Sequence, residues 1–202
     1  MTELYVPKEK HSKICLMAPG PTLNQEQADL IKASGLFTIV IGDAYRLYPD
    51  AHLMYHSDKR WWDHYDGVPQ FTGGQRVSME DAERKSIKQV LKSDQREGVD
   101  MTPSTVVGGS SSGYQSIGIA LHHGAKEIVL VGYNYKRSNG VYNVIGKHPK
   151  GIAMTSETQF ETMLLRMGSL IKPLEAMGVS VYNCTIDTGL TCFPVRSLKD
   201  VI

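Results

Sequence analysis

The chain predicts an α/β fold, a single domain wound around a mostly parallel sheet with connections on both faces. Three observations carry that expectation. Short apolar runs rich in β-branched residues alternate with helical patterns, as βαβ units require. Two of these runs, Ile14 to Ala18 and Thr105 to Val107, pass directly into glycine-bearing turns that open helices. A third, Glu127-Ile128-Val129-Leu130-Val131, is nearly continuous in apolar character, the pattern of a strand covered on both sides.

The elements follow in order. Residues 14–18 form the first strand, and Asn24 to Ser34 a helix ended by Gly35. Leu36 to Ile41 is a strand closing on Gly42-Asp43, and Ala44 to Leu47 a short helix stopped before Pro49. His52 to His56 is the next strand, and Lys59 to His64 begins a helix or loop. Between Val68 and Thr102 the pattern weakens. Phe71 to Val77 reads as a strand with a Gly-Gly break, and Lys85 to Lys92 as an edge strand or short helix. Gly113 to His123 is a helix. The segment from Asn134 to Ala153 is too long for a routine connection and reads as a lid-like loop. Ser156 to Met177 is one amphipathic helix bent or restarted at Pro173, Val179 to Asn183 the last strand, and Leu198 to Ile202 a tail helix. Residues 1–13 read as an N-terminal extension, and 14–202 as the domain.

Composition narrows the function classes. With 202 residues, 41% of them hydrophobic and 21% charged, the chain can bury one substantial core. A formal net charge of +1 supplies no global attraction to nucleic acid, so extended contact along a phosphate backbone is not expected. No apolar run has the length of a membrane span, and Met1 to Lys13 is too polar for a secretory signal. Three cysteines (Cys15, Cys184 and Cys192) lack metal-ligand spacing, and their odd number fits reduced thiols in a cytoplasmic protein.

The two glycine turns are the chemical signal. In Ala18-Pro19-Gly20-Pro21-Thr22-Leu23, Gly20 leaves room for a phosphate, Thr22 can cap the next helix, and the free amides there attract negative charge. In Gly108-Gly109-Ser110-Ser111-Ser112-Gly113, hydroxyls and amides can surround phosphate or ribose oxygens. Neither turn is a P-loop, since no Gly-Lys-Ser/Thr follows. The first also lacks the Gly-x-Gly-x-x-Gly pattern of dinucleotide sites. Each turn alone reads equally well as a tight structural connection.

Ligands of doubly wound sheets bind beyond the carboxyl ends of the strands. That rule adds Asp43 and Asp58, each able to hold a metal, a sugar hydroxyl or a base, or simply to cap a helix. Trp61 and Trp62 offer a stacking surface or plain packing. His148, between Lys147 and Lys150 in the suspected lid, can act as a general acid or base or contact a phosphate, unless it is only a solvated loop histidine. His122-His123 closes a helix, where the dipole favours a cation, and His52 and His56 carry no assigned role.

Together these residues resemble a known family. Residues 18–23 resemble the Gly-x-Gly-Pro-Ser-Leu opening of bacterial sialyltransferases, flagellin-modifying motility accessory factors and archaeal 6-hydroxymethylpterin diphosphokinase-like proteins. Ser57-Asp58, Ser112-Gly113-Tyr114-Gln115, Leu130-Val131-Gly132-Tyr133-Asn134 and Val181-Tyr182-Asn183-Cys184-Thr185 continue the resemblance, and small phage-encoded relatives share this layout with a His-Pro loop. The resemblance implies a Rossmann-like domain in the cytoplasm of a bacterium or an infected host cell. It would bind a nucleotide or nucleotide sugar as co-substrate through Gly20, Pro21, Thr22, Gly109, Ser110, Ser111, Ser112, Gly113 and Asn134. His148, Asp58 and Asp43 would then be the catalytic groups, with no resident metal. Ala18 departs from the family's first glycine, Gly42-Asp43 stands where an Asn is common, and Asn134 replaces the usual Asp. The leading expectation is a glycosyltransferase. The alternatives are an ATP-dependent diphosphokinase requiring Mg²⁺ and acting on a hydroxymethyl acceptor, and a nucleotide-sequestering protein without catalysis. The acceptor is unspecified, a DNA base included, and relatives of this fold often form homo-oligomers.

Overall fold

Each apolar run that alternates in burial finds a covered face on both sides. The computed structural model describes residues 2–146 and 155–202. Strand β1 (Lys13–Met17) sends Ile14 and Leu16 into one core and Cys15 and Met17 into the other. Its neighbours are β2 (Phe37–Ile41) on one side and β8 (Glu127–Val131) on the other, both parallel to it. Beyond β2 lie β3 (Leu53–His56), β4 (Gln75–Ser78) and β5 (Ile87–Gln89), and beyond β8 lies β9 (Ser180–Asn183). The seven-stranded sheet runs β5-β4-β3-β2-β1-β8-β9, with every pairing parallel.

Helices cover both faces, as parallel sheets demand. On one side pack α1 (Gln25–Ser34), a 3₁₀ turn (Gly42–Arg46), α2 (Lys59–His64) and α6 (Leu198–Val201), burying Ile31, Tyr45, Trp61, Trp62 and Leu198. On the other pack α3 (Ser112–His122), α4 (Glu157–Gly168) and α5 (Ile171–Ala176), burying Ile117, Leu121, Met167 and Leu174. The order reverses between β1 and β8, because α1 leaves β1 on one face while α3 enters β8 from the other. That reversal opens a crevice at the carboxyl ends of these strands. The doubly wound, Rossmann-like fold is therefore the one the sequence predicts.

Four local expectations change. Thr22 does not cap α1. Asn24 does, accepting from the Gln27 amide at 3.0 Å while Gln27 bonds back to the Asn24 amide at 3.2 Å, a full capping box. Thr105–Val106, the strand β7 before the second glycine turn, is not in the main sheet. It pairs only with β6 (Leu91–Lys92) in a separate two-stranded ribbon, because β8 occupies the whole length of β1. The helix expected from Ser156 to Met177 breaks into α4 and α5 ahead of Pro173 rather than at it. Proline lacks the N–H that would bond the carbonyl of Ser169, so the break falls one turn upstream. Finally, Gly73 and Gly74 do not interrupt a strand but precede it, lying so close to Ala51 and His52 that a Cβ would sit 2.0 Å from either carbonyl oxygen.

Residues 2–12 are sewn onto the domain. Tyr5 is 4% exposed, its amide donates to the Gln89 carbonyl at 2.8 Å, and its hydroxyl meets Nε2 of buried His123 at 2.6 Å.

Candidate functional site

A cavity of about 340 Å³ opens at the carboxyl edge of the sheet, where the order reverses. Its wall gathers the ends of four strands: residues 18–20 after β1, Gly42 and Asp43 after β2, His56 to Asp58 at the end of β3, and residues 132–135 after β8. The start of α3 (Ser111, Ser112, Gly113) and the side chains of Tyr142, Asn143, Phe160 and Met163 complete it. The volume lies near the low end of the roughly 300–1,000 Å³ typical of small-molecule sites.

The first glycine turn contributes wall but no cradle. A Cβ on Gly20 would lie 2.1 Å from Asn134 Oδ1 and 2.2 Å from the Gly132 carbonyl oxygen, and one on Gly132 would lie 2.0 Å from the Ala18 carbonyl oxygen. The amides of Ala18 and Gly20 donate to Val131 and Gly132 at 2.8 and 3.0 Å. The room left by Gly20 is thus taken by the chain's own backbone, not kept for a phosphate. Pro21 and Thr22 stand off the cavity wall. The Thr22 hydroxyl donates to the Ile186 carbonyl at 2.7 Å.

Asn134 belongs to the same seam. It is 2% exposed, and its Nδ2 donates toward Thr22 Oγ1, the Ile186 carbonyl and the Asp187 carbonyl, at 2.9, 3.0 and 2.9 Å. Three oxygens around one nitrogen explain why an amide stands here. A carboxylate would have no hydrogens to offer the two carbonyls.

The second turn divides. Gly109 and Ser110 face a separate surface groove with Lys92 and Arg96, and Gly109 is a glycine because the Tyr114 ring would lie 1.9 Å from its Cβ. Ser111, Ser112 and Gly113 face the cavity. Ser111 caps α3 by accepting from the Tyr114 amide at 3.1 Å, and the Ser112 hydroxyl bonds the Ser57 amide and hydroxyl at 3.2 and 3.0 Å. Within the described residues, the amides of Ser112 and Gly113 carry no backbone partner, as the first turn of a helix leaves them.

Asp43 lies in the cavity wall at 1% exposure, its Oδ1 3.5 Å from Arg46 Nε. Asp58 is also in the wall but caps α2, accepting from the Arg60 amide at 2.8 Å and pairing with its guanidinium at 2.9 Å. Burial works against its charge, yet these Arg60 contacts hold its carboxyl below the usual carboxylate range. Trp61 and Trp62 present no stacking surface to a ligand. Both are buried, Trp61 against the His56 ring and Trp62 with its indole N–H on the His56 carbonyl at 3.0 Å. His148, Lys147 and Lys150 lie outside the described residues.

His56 is the site residue that sequence reasoning misses. Selecting residues just after each strand starts one position too late for it, since it is the last residue of β3 and still reaches the cavity. The aromatic wall of Tyr135, Tyr142 and Phe160 is hidden in the long loop and in the amphipathic pattern of α4. Burial pushes the Tyr135 hydroxyl well above its ordinary range, so it stays a neutral donor.

Among the described residues, no lysine or arginine lines the cavity, and no cluster of three or more His, Cys, Asp or Glu side chains could hold a metal ion. No family model, no curated protein and no solved structure matches the chain.

Proposed function

We propose that the cavity binds a nucleotide-activated sugar and that the protein transfers the sugar to a hydroxyl acceptor. One observation carries this reading. The free amides of α3 and the Ser111 and Ser112 hydroxyls share a nucleotide-sized cavity with a buried carboxylate and an aromatic wall. The amides suit a phosphate, the aromatic side chains suit a base or sugar ring, and Asp43 suits a hydroxyl. In the transfer, the acceptor oxygen bonds to the anomeric carbon, the bond from that carbon to the phosphate oxygen breaks, and the nucleotide leaves. The acceptor's proton passes to a base, a role given to His148, while Asp43 orients the hydroxyl.

Neither glycine turn carries the Gly-Lys-Ser/Thr of a P-loop, which favours this donor over ATP. The sequestering alternative loses its main support, because Asn134 has a structural task that an Asp could not perform.

A thermal-shift panel with CMP, UDP, GDP, ADP and ATP, each with and without Mg²⁺, tests the reading. A ligand at about 100 times its Kd adds about 2.7 kcal/mol, which raises the melting temperature of a domain this size by about 5–11 °C. A metal-independent shift with a monophosphate supports the proposal. A shift confined to Mg²⁺-ATP favours the diphosphokinase, and no shift with any nucleotide removes the proposal. With a donor in hand, His148→Ala is expected to lower turnover while leaving nucleotide affinity within about twofold.

A further inference from the structure

A second recess lies beside the turn that opens α3, and it gathers cations. This surface groove of about 630 Å³ shares no lining residue with the sheet-edge cavity. Lys92 at the end of β6, Arg96 in the following loop and Arg166 of α4 line it, against one described carboxylate, Asp94. Lys92 lies along the glycine turn, its Cε 3.1 Å from where a Cβ on Gly108 would stand. Among the described residues Lys92 and Arg96 form no ion pair, and Arg166 gives one N–H to Glu97 at 2.5 Å. The amides of Gly108, Gly109 and Ser110, three residues of the same lining, make no backbone hydrogen bond within those residues. Both walls are pinned. The buried Tyr114 hydroxyl accepts from the Gly98 amide at 2.7 Å and donates to the Gly98 carbonyl at 2.8 Å, which ties down the loop carrying Arg96. Opposite it, Nε2 of buried Gln115 donates to the Gly108 carbonyl at 2.7 Å and holds the turn.

We propose that this groove is a second ligand site, one that takes a phosphate group. The assignment goes beyond the nucleotide reading and does not depend on it. Two guanidinium groups and an ammonium supply charge-assisted donors, and the guanidinium forks match phosphate oxygens in pairs. The turn adds backbone amides to the same lining, the donors that glycine-bearing turns commonly offer to anions. Because the loop and the turn are held by Tyr114 and Gln115, less ordering cost remains on binding than for cations on a loose loop. The groove's volume falls within the roughly 300–1,000 Å³ of small-molecule sites, so it has room for the body of a phosphorylated small molecule as well as for free phosphate.

The probes are inorganic phosphate and glycerol 3-phosphate, titrated calorimetrically at constant ionic strength. Lys92→Gln and Arg96→Gln each remove one exposed charge, and melting curves show that each variant folds. Lys199→Gln, on α6 across the sheet, removes the same charge elsewhere and serves as the control. Each groove variant is expected to weaken binding of the probes by about tenfold and the double variant by more, while the control stays within about twofold. Amide resonances of Gly109 and Ser110 should shift on adding phosphate. Tighter binding of the ester identifies a phosphorylated small molecule as the source of the group, and equal binding identifies free phosphate; either supports the site. No saturable binding of either probe up to about 10 mM overturns it. So does binding that the double variant leaves unchanged, with shifts confined to Ser112 and Gly113, which would put the phosphate in the sheet-edge cavity instead.

Discussion

The two glycine turns look alike in sequence and do opposite work. At the first, glycines let β1 and β8 keep hydrogen-bonding past their ends, and Asn134 and Thr22 seal the seam from the far side. At the second, Gly109 yields to a tyrosine ring, and the three residues after Ser110 line the cavity, with the Ser112 and Gly113 amides lacking a backbone partner within the described residues. A glycine after a strand reports a close approach, but not what approaches. Here the first turn is approached by the chain itself, and the second lines the cavity to which we assign the ligand.

The sharpest way to break this contrast is Gly132→Ala. The residue has φ of +76°, and a Cβ would strike the Ala18 carbonyl oxygen, so the seam must open. We expect a loss of about 3 kcal/mol or more, a fall in melting temperature of at least roughly 6 °C, from overpacking and backbone strain together. If the variant melts like the wild type, the seam is not the structural element described.

A second effect of similar size lies at the opposite end of the sheet and should leave the ligand site untouched. His123 is 3% exposed and donates Nδ1–H to the Glu9 carbonyl at 3.1 Å, so its Nε2 accepts from the Tyr5 hydroxyl. Burial chiefly, with the nearby His11, Lys10 and His122, pulls its pKa down from 6.5 to about 4, despite the bond to Glu9. The unfolded chain therefore takes up the proton first. The contribution of neutral His123 is complete above pH about 6.5 and fades as the pH falls toward 4, by about 3 kcal/mol in all. Denaturant titrations across that window should show the loss, and a His123→Gln protein should show a much shallower slope. Equal slopes would contradict the assignment.

Asn134→Asp comes next. The carboxylate would face two carbonyl oxygens in place of the amide's donors, and a cost of about 2 kcal/mol is expected. It should appear as a lower melting temperature at pH 7 that partly recovers as the pH drops and the acid is protonated. An Asn134→Asp protein as stable as the wild type would restore this position as a candidate for a ligand-binding carboxylate.

The smallest structural effect belongs to the second turn, where it should be largest for binding. A Cβ on Gly113 would lie 2.9 Å from the Tyr135 hydroxyl, the end of a side chain that can give slightly, and 3.0 Å from the buried Tyr133 ring. Gly113→Ala should change stability by less than about 1 kcal/mol, helped by alanine's helix propensity, and weaken nucleotide binding by about tenfold. Strong destabilisation would place this turn in the same class as the first.

The sheet is legible because its central strands are apolar on both faces, and β1, β2, β3, β8 and β9 stand within a residue or two of their expected positions. The misplacement of β7 arises because two β-branched residues say nothing about which partner they pair with. Asp58 suits either chemistry or capping by its sequence position, and its contacts with Arg60 show the cap. The seam role of Gly20 and Asn134 is illegible, since it depends on contacts between residues more than a hundred positions apart. His56 escapes for a simpler reason, that its side chain belongs to the strand end rather than to the loop after it.

The most direct measurement is a crystal structure with the nucleoside monophosphate that gives the largest thermal shift. Its phosphate is expected within hydrogen-bonding distance of the Ser112 and Gly113 amides, with the Gly20 seam unchanged. A phosphate seated on the Gly20 turn, or a nucleotide bound outside this cavity, would contradict the proposed site.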